Sequence, residues 1–312
     1  MRVLATGSNG FVGKSLLSAL HAKAHDISAP MRAPSDQGAS LNSLIVGDIN
    51  AGTNWVAALD GADAVIHLAA RVHIMRDTAR DPLAEFRRVN TEGTLNLARQ
   101  AADAGVRRFI FLSTIGVNGN ATQPEVAFKE NDASLPHDPY SVSKHEAEVG
   151  LRGIARSTGM EVVIIRPTLV YGKNAPGNFG KLTRLVACGM PLPLASIPNR
   201  RSLVGIDNLV DFIITCLEHP AAANETFLIS DGEDLSTPDL IQRMARAMNR
   251  PAHLLPVPKS MLMAAATMLG KHDMAQRLCS SLRVDTWKAR TLLAWNPPVS
   301  VDEGLRRAVT VK

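Results

Sequence analysis

Cysteine is scarce in this chain: Cys188, Cys216 and Cys279 stand far apart, with no Cys-x-x-Cys spacing. An odd count at such separations excludes a disulfide framework as the organising device, so reduced thiols in a cytoplasmic protein are expected. Aromatic residues make up only 4%, and Lys and Arg form no long runs. The basic, aromatic patch of a nucleic-acid binder is therefore missing despite the net charge of +5. No apolar run approaches the roughly 20 residues that cross a bilayer, so stable membrane insertion is not expected. The most apolar stretch, Met261 to Leu269, reads as a buried or lid helix. None of the nine histidines has metal-ligand spacing, and no metal is expected. No internal repeat or low-complexity tract is visible. Arg2-Val3-Leu4-Ala5 runs directly into a glycine motif, which leaves no stretch for a signal peptide.

What is present is a chain of 312 residues, 46% hydrophobic and 20% charged, long enough for one large domain with an appended lobe. Val3 to Ala5 reads as a buried strand, and Val12, Leu16, Leu17 and Leu20 form a helical stripe after the glycines. Further apolar runs at 44–46, 64–68, 109–112 and 162–165 read as parallel strands, with a helix over Pro82 to Ala104 between two of them. This alternation predicts an α/β fold, a Rossmann-type doubly wound parallel sheet. After Arg166, prolines and glycines break the alternation, which predicts a smaller C-terminal lobe.

Gly7-x-x-Gly10-x-x-Gly13 sits between the first strand and the first helix. There the first glycine permits a tight turn, the second lets backbone approach a pyrophosphate, and the third allows close helix–strand packing. Asn9, Phe11 and Val12 belong to the same loop, whose helix N-terminus offers free N–H groups to an anion. An acidic residue often ends the second strand of such folds and meets the adenosine ribose. Here Met31 and Arg32 stand in that neighbourhood. Arg32 is either a partner for a 2′-phosphate, favouring NADP(H) with NAD(H) still open, or a solvated loop arginine. Asp48, followed by Ile49, is placed either to meet the adenine amino group or simply to end a strand.

Tyr140 and Lys144 lie four apart and so share a helix face, with Asp138 as N-cap and Pro139 as first helical residue. A free tyrosine is a poor base near neutrality, and a nearby ammonium together with a cationic nicotinamide would stabilise its phenolate. That pair is a usable acid/base.

Thr6-Gly7-x-x-Gly10-x-x-Gly13, His67-Leu68-Ala69-Ala70, Asn90-x-x-Gly93-Thr94, Leu112-Ser113-Thr114, Tyr140-x-x-x-Lys144 and Arg166-Pro167-Thr168-x-x-Tyr171-Gly172 together resemble the extended short-chain dehydrogenase/reductase family. The resemblance runs nearly end to end and is strongest to its nucleotide-sugar 4-epimerases and 4-keto reductases. It implies an NAD(P)-binding domain over 1–165, with 205–230 returning to it, and a nucleotide-sugar-binding lobe over 166–204 and 231–312. It also implies Thr114, Tyr140 and Lys144 as catalytic residues, with Ser113 as a second candidate hydroxyl. Leu68, Ala69, Ala70, Asn90 and Pro167 would border the cofactor, with Asn90 either a structural or a proton-relay polar group inside its helix, while His67 reads better as a satisfied strand-end histidine. For the diphosphate sugar the resemblance implies Asn178, Phe179, Pro191, Leu192, Arg200 and Arg283; Arg201 could equally be a surface charge. Arg71, His73 and Met75 follow the third strand and either border the sugar or are solvated. Leu169 departs from the family's asparagine. A homodimer through helices near 82–104 and 139–156 is also implied.

Three readings follow. The favoured one is an oxidoreductase acting at C4 of a nucleotide-linked sugar, specifically an NADPH-using 4-keto reductase that makes a 6-deoxy-acetamido sugar for surface polysaccharide. A UDP-hexose 4-epimerase is the alternative. An NADP(H)-sensing regulatory protein would need the glycine loop but no Tyr–Lys pair. Dehydration is disfavoured, because Thr114 is followed by Ile115-Gly116 where the family's dehydratases carry Asp-Glu.

Overall fold

The computed structural model describes residues 1–33, 44–72, 79–123, 125–270 and 272–310. The first half is built from β1 (Arg2–Thr6), α1 (Phe11–Ala22), β2 (Asp26–Ser28), α2 (Val56–Leu59), β3 (Ala64–His67), α3 (Pro82–Phe86), α4 (Thr94–Asp103) and β4 (Arg108–Leu112). The long helix α5 (Pro139–Thr158) and the strands β5 (Glu161–Pro167) and β6 (Leu169–Tyr171) follow. The remainder comprises α6 (Gly177–Ala187), β7 (Arg201–Gly205), α7 (Ile206–Glu218), β8 (Thr226–Ile229), β9 (Asp234–Leu235) and the helices α8 (Thr237–Ala247), α9 (Lys259–Met268), α10 (His272–Cys279), α11 (Trp287–Leu293) and α12 (Val301–Val309).

Six strands form a parallel sheet in the order β2-β1-β3-β4-β5-β8, and β6-β7-β9 form a smaller one. Side chains of a strand alternate between faces, and here both faces are covered. Val3, Ile66, Ile110 and Val163 pack under α1 and α7, while Leu4, Val65, Phe109 and Val162 pack under α4 and α5. That double burial is why the strands read as unbroken apolar runs. From β1 the chain crosses first to β2 and then back to β3 on the other side. The crevice between the carboxyl ends of β1 and β3 is thus the topological switch point, where this fold class binds ligands.

Several expectations need correction. Residues 44–46 form only an isolated bridge, Met31 to Ile45, not a strand, and Ile45 is 56% exposed. At the rim of the sheet the apolar run has one neighbour instead of two. The helix over 82–104 is interrupted by a π-helical stretch, Arg87–Gly93. The helix read at 261–269 as buried or a lid does form as α9, but none of its residues is buried, so the first of these alternatives fails. His73 and Met75 lie outside the described residues.

The glycine turn is tight for a measurable reason. A Cβ on Gly13 would sit 2.1 Å from the Gly7 carbonyl oxygen and 2.7 Å from Ser8 Cα, whereas one on Gly153, on α5, would meet nothing within 4 Å. Gly13→Ala is therefore expected to destabilise the protein by about 1–3 kcal/mol in urea unfolding. Gly153→Ala should stabilise it by about 0.5–1 kcal/mol, as a glycine removed from a helix interior does. Equal effects of the two substitutions would refute the close approach.

Candidate active site

At the switch point Gly7 adopts φ +72°, and a Cβ there would lie 2.7 Å from the Ala69 amide nitrogen. Only glycine allows β1 to turn this close to the chain leaving β3. Gly10 is the N-cap of α1 and no side chain caps the helix, so its first-turn N–H groups are left for a ligand. Leu68, Ala69 and Ala70 are half-buried along the same crevice, and Pro167 ends β5 as a buried residue. Beside the turn lies a cavity of about 710 Å³ bordered by Asn9, Gly10, Phe11, Tyr171 and Gly172. None of its walls comes from β4 or α5. The residues thus fit a dinucleotide pyrophosphate: a glycine cradle that a Cβ would fill, facing an uncapped helix end.

His67 is buried, with Nδ1 2.7 Å from Thr6 Oγ1 and Nε2 3.0 Å from Thr94 Oγ1. Burial, and then the charge of Lys144, lowers its pKa to about 3. It is a neutral strut between β1, β3 and α4, as the sequence suggested. Asn90 does not face the crevice as a cofactor ligand. It accepts from the Arg71 amide (2.8 Å) and donates to the Arg71 carbonyl (3.0 Å) and to Ser143 Oγ (3.0 Å), so its polar atoms brace a loop. Arg32 and Asp48, read separately from sequence, form an ion pair with each other at the surface. Val12 and Ile49 are half-buried, Ile49 against Gly93 of the π-helical stretch.

The end of β4 is tied to the first turns of α5. Asp138 caps the helix by accepting from the Ser141 amide at 2.9 Å, and Pro139 follows it. Lys144 is buried; its Nζ donates to the Leu112 carbonyl (2.8 Å) and lies 4.2 Å from the Phe111 ring centroid. Thr114 is half-buried, its Oγ1 accepting from the Gly116 amide at 3.1 Å. Gly116 packs so closely on α5 that a Cβ would fall 2.3 Å from Ser141 Oγ. Tyr140, also half-buried, meets the Phe86 ring edge at 6.1 Å, and Arg71 covers Phe86 at 5.4 Å.

The electrostatics differ from the sequence expectation in one respect. Burial, followed by the carboxylate of Asp138, raises the Tyr140 phenol above its ordinary pKa. Burial lowers that of Lys144 to about 7, against the opposing pull of Glu148. The ammonium alone does not offset the desolvation of the phenol, so Tyr140 rests in its protonated form.

Beneath this pair lies a network that the sequence reading missed. Glu148, fully buried, accepts from Arg166 Nε (2.9 Å) and Nη2 (2.5 Å) and from Ser113 Oγ (2.6 Å). Arg166 Nη1 donates to Asn118 Oδ1 at 2.8 Å. Ser113 is thereby committed to the interior, which leaves Thr114 as the available hydroxyl. A signal was present: Tyr140, Lys144 and Glu148 repeat every four residues, so a carboxylate interrupts the inward stripe of α5.

Of the residues assigned to a diphosphate sugar, Phe179 and Leu192 are core instead. Phe179 packs on the Tyr171 ring at 5.4 Å, and Leu192 bridges to Leu254. α6 and the 192–254 bridge turn both inward. Arg283 Nε donates to Asp234 at 2.6 Å, so its charge already has a carboxylate partner. Arg201 is not a surface charge, for it donates to the carbonyls of Arg277 and Ser280. Asn178, Pro191 and Arg200 are exposed. Residues 281–285 join β7 to the loop after Thr114 through Ser202 N to Leu282 O and Phe128 N to Arg283 O, both backbone bonds.

Residues 3–230 match the model of the NAD dependent epimerase/dehydratase family. A UDP-glucose 4-epimerase from Vibrio cholerae is 46% identical over 98% of this chain and 93% of its own. An N-acetyl-alpha-D-glucosaminyl-diphospho-ditrans,octacis-undecaprenol 4-epimerase from Escherichia coli O157:H7 is 30% identical over 93% of this chain and 86% of its own. A solved dTDP-glucose 4,6-dehydratase from Streptomyces venezuelae, with NAD and TYD bound, superposes with a TM-score of 0.77 at 26% identity, covering 99% of this chain and 96% of that one.

Removing Glu148 would leave the Arg166 charge buried without its carboxylate. Glu148→Ala is expected to cost about 3–5 kcal/mol in urea unfolding, and Glu148→Leu combined with Arg166→Met should recover most of that loss. A double variant as unstable as the single one would show that packing, not the charge pair, sets the cost.

Proposed function

Because the chain belongs to the NAD dependent epimerase/dehydratase family, we propose that it inverts the C4 hydroxyl of a sugar carried on a diphosphate, with NAD as cofactor. The observation that carries this reading is the near-full-length 46% identity to a UDP-glucose 4-epimerase. The geometry supports it: a hydroxyl (Thr114), a phenol (Tyr140) and an ammonium (Lys144) stand on elements that the Lys144–Leu112 bond holds together. The dehydratase relative's chemistry is disfavoured, since Ile115, a buried apolar residue, and Gly116 follow Thr114 and provide no carboxylate.

In this reading the turn through Gly7, Gly10 and Gly13 and the first N–H groups of α1 hold the pyrophosphate. Leu68 to Ala70 and Pro167 line the remainder, and Lys144 anchors the nicotinamide ribose. NAD, when bound, supplies a reversible hydride acceptor and, in its oxidised form, a positive ring charge. Tyr140 takes the proton from the C4 oxygen as the carbinol becomes a carbonyl and returns it as the alcohol re-forms. A phenol held protonated by burial gives up its proton only when positive charge is added beside it, which couples proton transfer to the loaded site. Thr114 both donates and accepts, as an oxygen alternating between alcohol and carbonyl requires. Exposed Arg200 and Asn178 are the candidates for the diphosphate.

The 4-keto reductase reading rested in part on NADPH, beside Leu169 and the stretch from Thr114 to Gly119, and the Arg32–Asp48 ion pair weakens the first of these grounds. The carboxylate standing against Arg32 would repel a 2′-phosphate. Titration is expected to find NADH bound more tightly than NADPH, and Asp48→Asn should narrow the gap by about tenfold, the worth of one charge-assisted contact. Tighter NADPH binding by the parent protein would contradict this assignment.

Incubated with UDP-glucose or UDP-N-acetylglucosamine and no added reductant, the protein should form the C4 epimer. Tyr140→Phe should lower turnover by about two to four powers of ten while leaving NAD binding intact. Stoichiometric NADPH oxidation with a UDP-4-keto-6-deoxy sugar, without interconversion of the two hexose series, would instead establish the reductase.

A further inference from the structure

Helix α9 has an unusual surface. Met261, Ala264, Ala265, Met268 and Leu269 recur at the i, i+3, i+4, i+7, i+8 spacing that marks one face of a helix, and all five are exposed. Met261 is 62%, Met268 88% and Leu269 71% exposed, with Leu255 upstream at 49%. The opposite side, through Leu262 and Met263, packs on the C-terminal core. An uncovered apolar face of this extent is an arrangement that a water-facing element does not sustain without a partner.

Charge identifies the partner. Residues 246–283 carry six Lys or Arg against one Asp, a balance of +5, and the rest of the chain carries 28 of each sign. The whole excess charge of the protein therefore falls on the segment that holds the apolar helix. Lys259 opens α9, and Arg277 in the last turn of α10 is exposed. An uncovered apolar helix within a segment of net positive charge is the combination that binds the headgroup region of an anionic bilayer. Among the described residues no helix is long and apolar enough to cross a membrane, so the contact would be with the surface.

We propose that α9 docks this protein on anionic phospholipid membranes. The segment continues directly into 281–285, the strip that joins β7 and carries Arg283. The inference rests on α9 and its charge, not on the reaction, so loss of the epimerase reading would leave it standing.

Vesicle co-sedimentation of the full chain tests it, with phosphatidylcholine alone compared with phosphatidylcholine containing phosphatidylglycerol. The parent protein should pellet with the anionic vesicles and be released by high salt. Met261→Glu with Met268→Glu and Leu269→Glu should lower its partitioning by roughly tenfold or more. Val56→Glu, at an exposed apolar residue remote in sequence, serves as the control and should pellet like the parent. The proposal falls if the parent stays in the supernatant with both vesicles, or if the triple variant binds as the parent does. It also falls if the only effect of the triple variant is to turn a dimer into a monomer in light scattering, which would assign the face to a second copy of the chain.

Discussion

The carboxylate of Glu148 lies in the interior where α5 crosses the ends of β4 and β5, and it is satisfied because four donors converge on it, one of them Arg152 from the next turn of α5. Arg166 reaches it from β5 with two hydrogen bonds, and Ser113 reaches it from the residue after β4. A buried carboxylate tolerates no vacancy among its partners, so the two strand ends and the helix hold one relative placement. One turn before Glu148 on the same face, Lys144 takes the Leu112 carbonyl, and one turn before that stands Tyr140. The register of α5 against the sheet is thus set by a buried ion pair.

Burial, more than pairwise charge, sets the protonation states in this region. His67 is held neutral, Lys144 sits near 7, and the Tyr140 phenol is raised, each with desolvation as the largest cause. The resting site therefore carries less charge than its residue list suggests. Positive charge added beside such a phenol would favour its ionised form. The glycine turn works on the same principle of withheld partners, leaving the first N–H groups of α1 without a side-chain cap.

Polar and apolar surface follow opposite rules in the two halves of the chain. In the sheet region apolar residues alternate between two covered faces, and His67, Asn90, Lys144 and Glu148 each enter the interior with a hydrogen-bond partner. Around α9 the covering ends after one face, and the surrounding segment 246–283 carries six cations against one Asp. The excess charge that sequence composition first presented as diffuse is local.

Period and punctuation determined much about this protein. Unbroken apolar runs separated by helical stripes specified a doubly wound parallel sheet, because strands covered on both faces can be written in no other way. Three glycines between the first strand and helix located the dinucleotide crevice, and the four-residue spacing of Tyr140 and Lys144 put them on one face. These features are local, so sequence carries them. What required the tertiary structure were pairings across long separations. Asn90 spends its amide on Arg71 and Ser143, Arg32 meets Asp48, Arg283 meets Asp234, and Phe179 and Leu192 turn into the core. A polar side chain reads the same in sequence whether it faces a ligand or a partner 50 residues away, and an apolar helix reads the same buried or bare. Only the placement of neighbouring elements decides which of the two it is.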